Sequence, residues 1–450
     1  MNTSTLNITP PLSSERANQI AQSLDLRALP RDFLDNPYPV YAALREAEPF
    51  KRMPDGSYFL TRHADLVSVY RDAKVFSSDK QVEFGPKYNH APFNQPPFAT
   101  ASGVAPLFEH HTHSLVFNDP PLHTRVRRLI MGALTRRAIE AMEPGLIQLV
   151  DSLLDRMEAS GGGDLIEDFA SAIPVEIIGN LLDVPHADRE PLREWSLAIL
   201  GALEPALTPE QEALGNRSVT EFLAYLRELV AERRQHPGDP EHDVLTRLIQ
   251  GEKTSEVTGN ASGDALSEVE LLQNCVFLLN AGHETTTNLI GNALISLQEW
   301  PEQRLSLLSD LKQAPSDEAR QQLLDLAVDE FLRFESSNQL GNRRAVQATQ
   351  VNGLELPAGT LVTLCIGAAN RDPAVYENPE QLNLRRTGNK HLAFGFGIHQ
   401  CAGLSLARLE GRIAIGRFLQ RFPDYRLTQA PVRGGRARFR GFLNAHFSTR

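Results

Sequence analysis

Apolar side chains recur every three or four residues over most of the chain from about Ala138 onward, a spacing typical of amphipathic α-helices. The clearest segments with this period are Ile139–Met157, Thr208–Arg234, Leu266–Trp300, Ala319–Phe334 and Leu404–Phe418. Strand-like alternation is confined to short pieces at Tyr58–Thr61, Glu355–Leu356 and Leu361–Leu364. The pattern therefore predicts a mainly α-helical protein with small β-sheets.

Two segments interrupt the helical pattern. Gly85–Pro106 carries five prolines among Phe and Asn, and Gly251–Asp264 is polar and contains glycine. We expect both segments to be loops. Neither of them separates stretches that resemble independent domains, and no internal repeat is visible. The sequence therefore predicts an N-terminal extension at residues 1–35 and a single domain at residues 36–450.

Composition and charge exclude several classes of protein. The chain has 450 residues, is 41% hydrophobic and carries a formal net charge of −11, which argues against a nucleic-acid partner. No apolar run approaches the roughly 18 residues that a membrane span needs. The first 30 residues lack the apolar core of a signal peptide, and the three cysteines are too far apart to indicate a disulfide framework. We therefore expect a cytoplasmic protein with no membrane span.

The stretch from Phe394 to Gly403 places Cys401 behind two glycines and directly before a predicted helix. Glycine allows a loop to lie close to a flat ligand, and the start of a helix favours thiolate over thiol. An isolated cysteine, however, is far more often a small buried side chain than a ligand. The surrounding spacing is what favours a ligand here.

This loop resembles the haem-binding loop of the cytochromes P450, whose pattern is Phe-x-x-Gly-x-x-x-Cys-x-Gly. The chain meets that pattern with Phe394, Gly397, Cys401 and Gly403, and His399 matches a bacterial-type variant. The resemblance implies the cytochrome P450 fold, with the haem between a long distal helix and the cysteine loop. It also implies that Cys401 is the thiolate ligand of the haem iron and that Phe394 contacts the cofactor.

Glu330 and Arg333 stand three residues apart on a predicted helix and can pair on one face. Alone, such a spacing would usually mean an ordinary surface ion pair. The two residues match the structural Glu-x-x-Arg pair of the family. The family often has arginine and phenylalanine where this chain has Gln381 and Leu382, so we expect Arg385 or Arg386 to complete the network.

The longest predicted helix contains Ala281-Gly282-His283-Glu284-Thr285-Thr286, which interrupts an apolar stretch. Without context, this is as easily a partly exposed turn in which hydroxyls bond back to the helix. It is similar to the family's distal groove. The resemblance implies that Thr285 and Glu284 are catalytic residues that deliver protons, and that Ala281 lies against the haem.

His123 and Arg127 stand four residues apart after paired prolines, which places two cationic donors on one helix face. Each of them alone would more often be a solvated or capping side chain. In the resemblance they match residues that bind the haem propionates, and Arg343 and His399 match two more. The four donors together indicate a dianionic ligand held by charge-assisted bonds, and the resemblance implies that this ligand is haem b (iron protoporphyrin IX).

The resemblance implies a monooxygenase that inserts one oxygen atom of dioxygen into a small or medium-sized organic substrate. About 50 residues follow Cys401, which leaves no room for a reductase domain. We therefore expect a ferredoxin or flavodoxin with its NAD(P)H-dependent reductase as electron donor. A peroxide-driven peroxygenase and a non-enzymatic haem sensor are the alternatives, and Glu284 with Thr285 counts against both.

The substrate is small or medium-sized and otherwise unspecified by the sequence. Helical position relative to Thr285 places Ala281 and Phe277 toward a pocket, with Asn280 near its edge. Asn338 and Gln339, in a polar segment that follows Phe334, are further candidates. The alternative is that this segment only caps the helix that ends at Phe334. If its side chains line the pocket, the substrate is mainly apolar and carries a polar group.

Overall fold

A computed structural model of the chain describes residues 8–240, 243–257 and 266–449. Its α-helices are α1 (Ser14–Gln22), α2 (Arg31–Asp35), α3 (Tyr38–Ala47), α4 (His63–Arg71), α5 (Gln81–Tyr88), α6 (Pro106–His113), α7 (Leu122–Ala133), α8 (Arg136–Ser160), α9 (Ala172–Leu181), α10 (Glu190–Gly201), α11 (Pro209–Gln235), α12 (Val244–Val257), α13 (Glu268–Glu299), α14 (Pro301–Gln313), α15 (Asp317–Phe334), α16 (Ile366–Ala369) and α17 (Leu404–Arg421). Its strands are β1 (Phe50–Arg52), β2 (Tyr58–Leu60), β3 (Phe76–Ser77), β4 (Gly162–Asp164), β5 (Leu340–Ala345), β6 (Thr349–Val351), β7 (Leu354–Leu356), β8 (Leu361–Cys365), β9 (Arg426–Leu427), β10 (Val432–Arg433), β11 (Phe442–Asn444) and β12 (His446–Ser448). Short 3-10 helices lie at Leu115–Phe117, His186–Asp188 and Gly397–His399, and a π-helical turn at Leu165–Ala170. The prediction of a mainly helical protein with small sheets is confirmed.

The five predicted helices correspond to α8, α11, α13, α15 and α17, and the predicted strands to β2, β7 and β8. The loop predicted at Gly251–Asp264 is wrong over its first half, because α12 continues to Val257. Residues 258–264 lie outside the described residues. The loop is predicted from polar residues and glycines, but the polar residues of the first half include Glu and Lys, which are good helix formers.

The chain divides into two compact units. Unit 1 contains the described parts of residues 1–76, 143–173 and 285–450, and unit 2 contains those of 77–142 and 174–284. Helices α8, α9 and α13 contribute residues to both units. The division into an extension and a single domain stays a prediction.

Unit 1 is built around the largest sheet, in which β1, β2, β8 and β5 lie side by side. Strands β2 and β8 are parallel, with Tyr58 opposite Val362, whereas β5 runs antiparallel to β8, with Arg343 opposite Val362. Residues from α1 and α2, such as Ile20 and Phe33, are buried with Tyr41 against this sheet. The sheet thereby fixes the strand that carries Arg343.

Unit 2 is helical. The long helix α11 begins with a capping box, in which Thr208 and Gln211 satisfy each other's backbone N–H groups. Trp195 of α10 stacks on Phe222 of α11 with ring centroids 5.0 Å apart. None of the helices in the described residues combines the length and apolar character that a membrane span requires.

Candidate active site

Cys401 lies in a tight loop of unit 1 that leads into α17. Its N–H donates to the carbonyl of Phe394 at 2.8 Å, which closes the loop on itself. Gly395 and Gly397 have φ of +65° and +73°, a region that side-chain-bearing residues rarely adopt. A Cβ at Gly397 would also run into the carbonyl oxygen of Tyr70 on α4. The glycines therefore allow the loop to lie directly against α4.

The three cysteines of the chain lie in different surroundings. Cys275 and Cys365 are fully buried, and desolvation raises the pKa of each thiol to about 12. Cys401 is partly exposed, three residues before the first residue of α17. The start of a helix stabilises a thiolate, so Cys401 is the cysteine best placed to bind a ligand.

Arg343 lies near the cysteine loop, because Tyr70 contacts both of them. The sequence pattern did not single out Tyr70. The guanidinium of Arg343 lies 5.2 Å from the ring centroid of Tyr70, the residue whose carbonyl meets Gly397. The same guanidinium donates to the carbonyl of Asn342 at 2.7 Å. His399 lies within the loop, in the 3-10 helix. The structure thus brings Arg343, His399 and Cys401 into one part of unit 1.

Helix α13 is buried along most of its length but has one partly exposed stripe. Between Leu271 and Leu297, the residues that are not buried are Phe277, Leu278, Ala281, Gly282 and Thr285. Their spacing of four places them on a single helix face. Three of them are residues predicted to face a pocket or the cofactor. Glu284 is buried, at 5% exposure, directly beside the stripe.

The start of α7 in unit 2 carries the predicted pair of cationic donors. The carboxylate of Asp119 accepts from the Ser77 hydroxyl at 2.5 Å and the Ser78 N–H at 2.9 Å. The carbonyl of Asp119 accepts the N–H of His123 at 3.0 Å and so fixes the beginning of the helix. His123 is buried and Arg127, one turn later, is half-buried.

The polar substrate candidates lie in unlike surroundings. Asn280 is 1% exposed, and neither atom of its amide group has a hydrogen-bond partner among the described residues. The Asn338 side-chain oxygen is likewise buried without a partner there. Gln339 instead donates to the Ser336 carbonyl at 2.7 Å and to the Tyr38 hydroxyl at 3.4 Å, inside the core of unit 1. Its contact with substrate stays a prediction.

Glu330 and Arg333 form a bidentate ion pair in the interior of unit 1. Both hydrogen bonds measure 2.8 Å, and neither side chain is exposed. The remaining Arg333 donors reach the carbonyls of Asn370, Pro379 and Gln381 at 2.8–3.0 Å. A buried pair with all donors used is a rigid structural element.

Arg386 completes this network. Its Nε donates to Glu330 at 3.0 Å, and the Asn389 amide donates to the same carboxylate at 3.2 Å. Arg385 turns away and pairs with Asp310 on α14 at 2.7 Å. Of the two arginines left open by the sequence, Arg386 is therefore the one that joins the Glu330–Arg333 network.

Comparison with known proteins agrees with this site. A sequence model of the family described as "Cytochrome P450" matches residues 199–425. Cytochrome P450 107B1 of Saccharopolyspora erythraea is 35% identical over 412 residues, which are 90% of this chain and 93% of that protein. The chain belongs to the cytochrome P450 family.

Further P450 relatives agree. Cytochrome P450 monooxygenase PikC of Streptomyces venezuelae is 34% identical over 413 residues, 91% of this chain and 89% of that one. The crystal structure of P450BioI in complex with hexadec-9Z-enoic acid ligated acyl carrier protein superposes with a TM-score of 0.80 at 31% identity, over 93% of this chain and 99% of that one. The present P450 is a bacterial-type haem-thiolate monooxygenase that oxidises an organic substrate and takes electrons from a redox partner.

The residues of unit 1 fit the haem-thiolate cofactor. The fit rests on a partly exposed thiol at a helix start, on two glycines that draw the loop against α4, and on a nearby guanidinium. Cys275 and Cys365 are fully buried and present no exposed thiol. Cys401 is therefore the candidate ligand of the haem iron.

Proposed function

We propose that the chain binds haem b through the thiolate of Cys401 and uses it to hydroxylate or epoxidise a mainly apolar substrate that carries a polar group. When bound, the haem supplies the activation of dioxygen and the thiolate donates electron density to the iron. The observation that carries this proposal is the position of Cys401: it is the partly exposed thiol, at the start of α17, in a loop closed by its own backbone.

The remaining site residues have separate tasks. Arg343 and His399 act as cationic or hydrogen-bonding donors to the haem propionates, and the family pattern assigns the same task to His123 and Arg127. Phe394 and Ala281 supply apolar contact with the ring system. These assignments are supported by the family patterns and by the local positions described above.

Glu284 and Thr285 are the proton-delivering residues in this proposal. Thr285 belongs to the exposed stripe of α13, where its hydroxyl can reach a bound molecule, and Glu284 lies buried next to it. We propose that the carboxyl of Glu284 takes up protons that originate in solvent and that the hydroxyl of Thr285 passes them to the reaction centre. Phe277 of the same stripe excludes water from the substrate.

The cysteine assignment is tested by the carbon monoxide spectrum of the reduced protein. Wild type should show the red-shifted Soret band of a thiolate-ligated haem, and Cys401→Ala should abolish it. Cys275→Ala and Cys365→Ala are the matched controls and should keep the band. A normal band in the Cys401 variant would overturn the proposal.

The class of substrate is inferred from both amide atoms of Asn280 and the side-chain oxygen of Asn338, which are buried without partners within the described chain. A plain hydrocarbon would leave these groups unpaired, at a cost of roughly 1–3 kcal/mol each. An oxygenated compound should therefore shift the haem spin state at about tenfold lower concentration than the alkane of equal length, and Asn280→Leu should reduce that preference. Tighter binding of the alkane by wild type would contradict this part of the proposal.

The electron donor in this proposal is a ferredoxin or flavodoxin with its NAD(P)H-dependent reductase, in the cytoplasm. Support comes from Lys390, which is exposed a few residues before the cysteine loop, although the chain carries net charge −11. Positive charge there attracts an acidic partner. Lys390→Glu should slow reduction by an acidic ferredoxin at low salt, and the difference should shrink as salt screens it. Equal rates at low salt would show that docking occurs elsewhere.

A further inference from the structure

Ser337 lies in the segment that joins α15 to β5, and its hydroxyl donates to the backbone carbonyl of Thr285 at 2.8 Å. Ser337 is 6% exposed, and both residues belong to unit 1. The two residues are 52 positions apart in the sequence. The bond thus connects the turn of α13 that carries Thr285 to a separate segment of the chain.

The sequence of that turn is unfavourable for a helix, so a bond from another segment can stabilise it. Thr285, Thr286, Thr287 and Asn288 follow one another in the middle of α13, and all four are poor helix formers. Threonine and asparagine side chains can compete for the backbone of a helix through bonds to the carbonyl four residues earlier. A carbonyl oxygen has two lone pairs, so that of Thr285 can accept from Ser337 and still serve the helix.

Ser337 is itself held in place by its neighbours. Its carbonyl accepts the N–H of Arg440 at 2.8 Å. The side-chain amide of Asn292, two turns after Thr285 on α13, donates to the carbonyls of Arg440 at 3.0 Å and Glu335 at 3.3 Å. The Arg440 guanidinium is bound in turn by the carboxylate of Glu335. The segment is therefore fixed to α13 two turns away from the point where Ser337 reaches Thr285.

We propose that Ser337 is a positioning residue that holds the Thr285 turn of α13 in the orientation in which the Thr285 side chain acts. The inference rests on the proposed role of Thr285. Loss of the Ser337 hydroxyl leaves the turn free to adopt the alternative back-bonded arrangements of its threonines. Delivery of protons then becomes less reliable, and reducing equivalents are lost to peroxide.

The neighbouring serine provides a matched control. Ser336 is also buried, but its hydroxyl donates to the carbonyl of Asn338 at 3.0 Å, within its own segment. Ser336→Ala therefore removes a buried hydroxyl of the same segment and leaves the contact with α13. Ser337→Thr keeps a hydroxyl at the critical position.

Two measurements test the proposal. The first is amide hydrogen exchange of the peptide that spans Thr285 to Leu289, since the helical acceptor of the Leu289 amide is the Thr285 carbonyl. In Ser337→Ala this exchange should accelerate about five- to tenfold, as expected for the loss of one hydrogen bond. The second is product formed per NADH, which should fall in Ser337→Ala while the substrate dissociation constant stays within about twofold. Ser336→Ala and Ser337→Thr should behave as wild type in both.

Unchanged exchange and coupling in Ser337→Ala, or equal effects in Ser336→Ala, would overturn the inference. The exchange measurement does not depend on turnover. If Thr285→Ala leaves coupling intact, the proposed role of Thr285 fails. Exchange in Ser337→Ala then still decides whether Ser337 holds the turn.

Discussion

Glu335 and Glu410 are both buried carboxyl groups of unit 1, and their surroundings are opposite. Glu335 contacts Arg440, Arg433 at 3.0 Å and Arg371 at 3.8 Å. Burial alone would raise its pKa, but the charges of Arg440, Arg433 and Arg371 outweigh burial and lower the pKa to about 2. Glu335 is therefore ionised at neutral pH.

Glu410 of α17 is 2% exposed and forms a side-chain hydrogen bond with Thr286 of α13. Within the part of the chain that the structure describes, it has no ion pair. Desolvation raises its pKa to about 8, and the hydrogen bond with Thr286 opposes that shift. Equal burial thus yields an anion at one site and a neutral acid at the other, because the partners decide the charge.

The largest effect is expected from replacing Glu335, the ionised carboxyl group. Glu335→Gln removes the carboxylate that binds the buried guanidinium groups of Arg433 and Arg440 and should lower the free energy of unfolding by about 3–5 kcal/mol. Urea unfolding at pH 7 measures this. The control is Glu380→Gln, because Glu380 also pairs with Arg371, at 2.8 Å, but is half exposed. It should cost less than about 1 kcal/mol. Equal losses in the two variants would contradict the comparison.

Replacing Glu410, the neutral carboxyl group, should change the free energy of unfolding in the opposite direction. Because the folded-state pKa of Glu410 is raised, its contribution to stability is complete below the unfolded-state value of 4.5 and is lost as pH rises toward about 8. Glu410→Gln removes this loss and should be more stable than wild type by about 3 kcal/mol at pH 7. The difference should vanish at pH 4, where denaturant titrations of both proteins should coincide. A Gln variant that is less stable than wild type at pH 8 would show that Glu410 is ionised.

Lowering the pH of the wild-type protein should reduce the stability that Glu335 contributes but not the stability that Glu410 contributes. The lowered pKa of Glu335 contributes stability that is present above the unfolded-state value of 4.5 and is lost as pH falls toward about 2. This group should account for about 2 kcal/mol of the loss between pH 4.5 and pH 3. The check is the slope of unfolding free energy against pH, which should be shallower in Glu335→Gln. Parallel slopes would mean that other carboxylates govern acid unfolding.

The smallest effect is expected from removing the hydrogen bond between Thr286 and Glu410. Thr286→Val removes the hydrogen bond that lowers the pKa of Glu410, so this pKa should rise further. Stability at pH 7 should fall by about 1 kcal/mol, the net value of one buried hydrogen bond. The pH above which stability stops declining should move upward, as followed by denaturant titrations from pH 5 to pH 9. If this pH does not change in Thr286→Val, Thr286 and Glu410 interact only through packing.

The sequence predicted those parts of the site whose signals are local. Cys401 is surrounded by its own glycines, and Glu330 and Arg333 are three residues apart, so a short pattern contains the whole feature. The contact of Tyr70 with Gly397 and the bond from Ser337 to Thr285 join distant segments. Periodicity reports which face of a helix is apolar and cannot report which residue of another segment meets it.

The network around Glu330 shows a second limit of motifs. Gln381 contributes its backbone carbonyl to Arg333, and Arg386 contributes a side chain to Glu330. Every amino acid supplies the same carbonyl, so substitution of Gln381 should leave the bond to Arg333 in place, whereas substitution of Arg386 removes a partner of Glu330. A sequence pattern that requires arginine at position 381 therefore misses this network, although Arg386 joins it from five residues further along the chain.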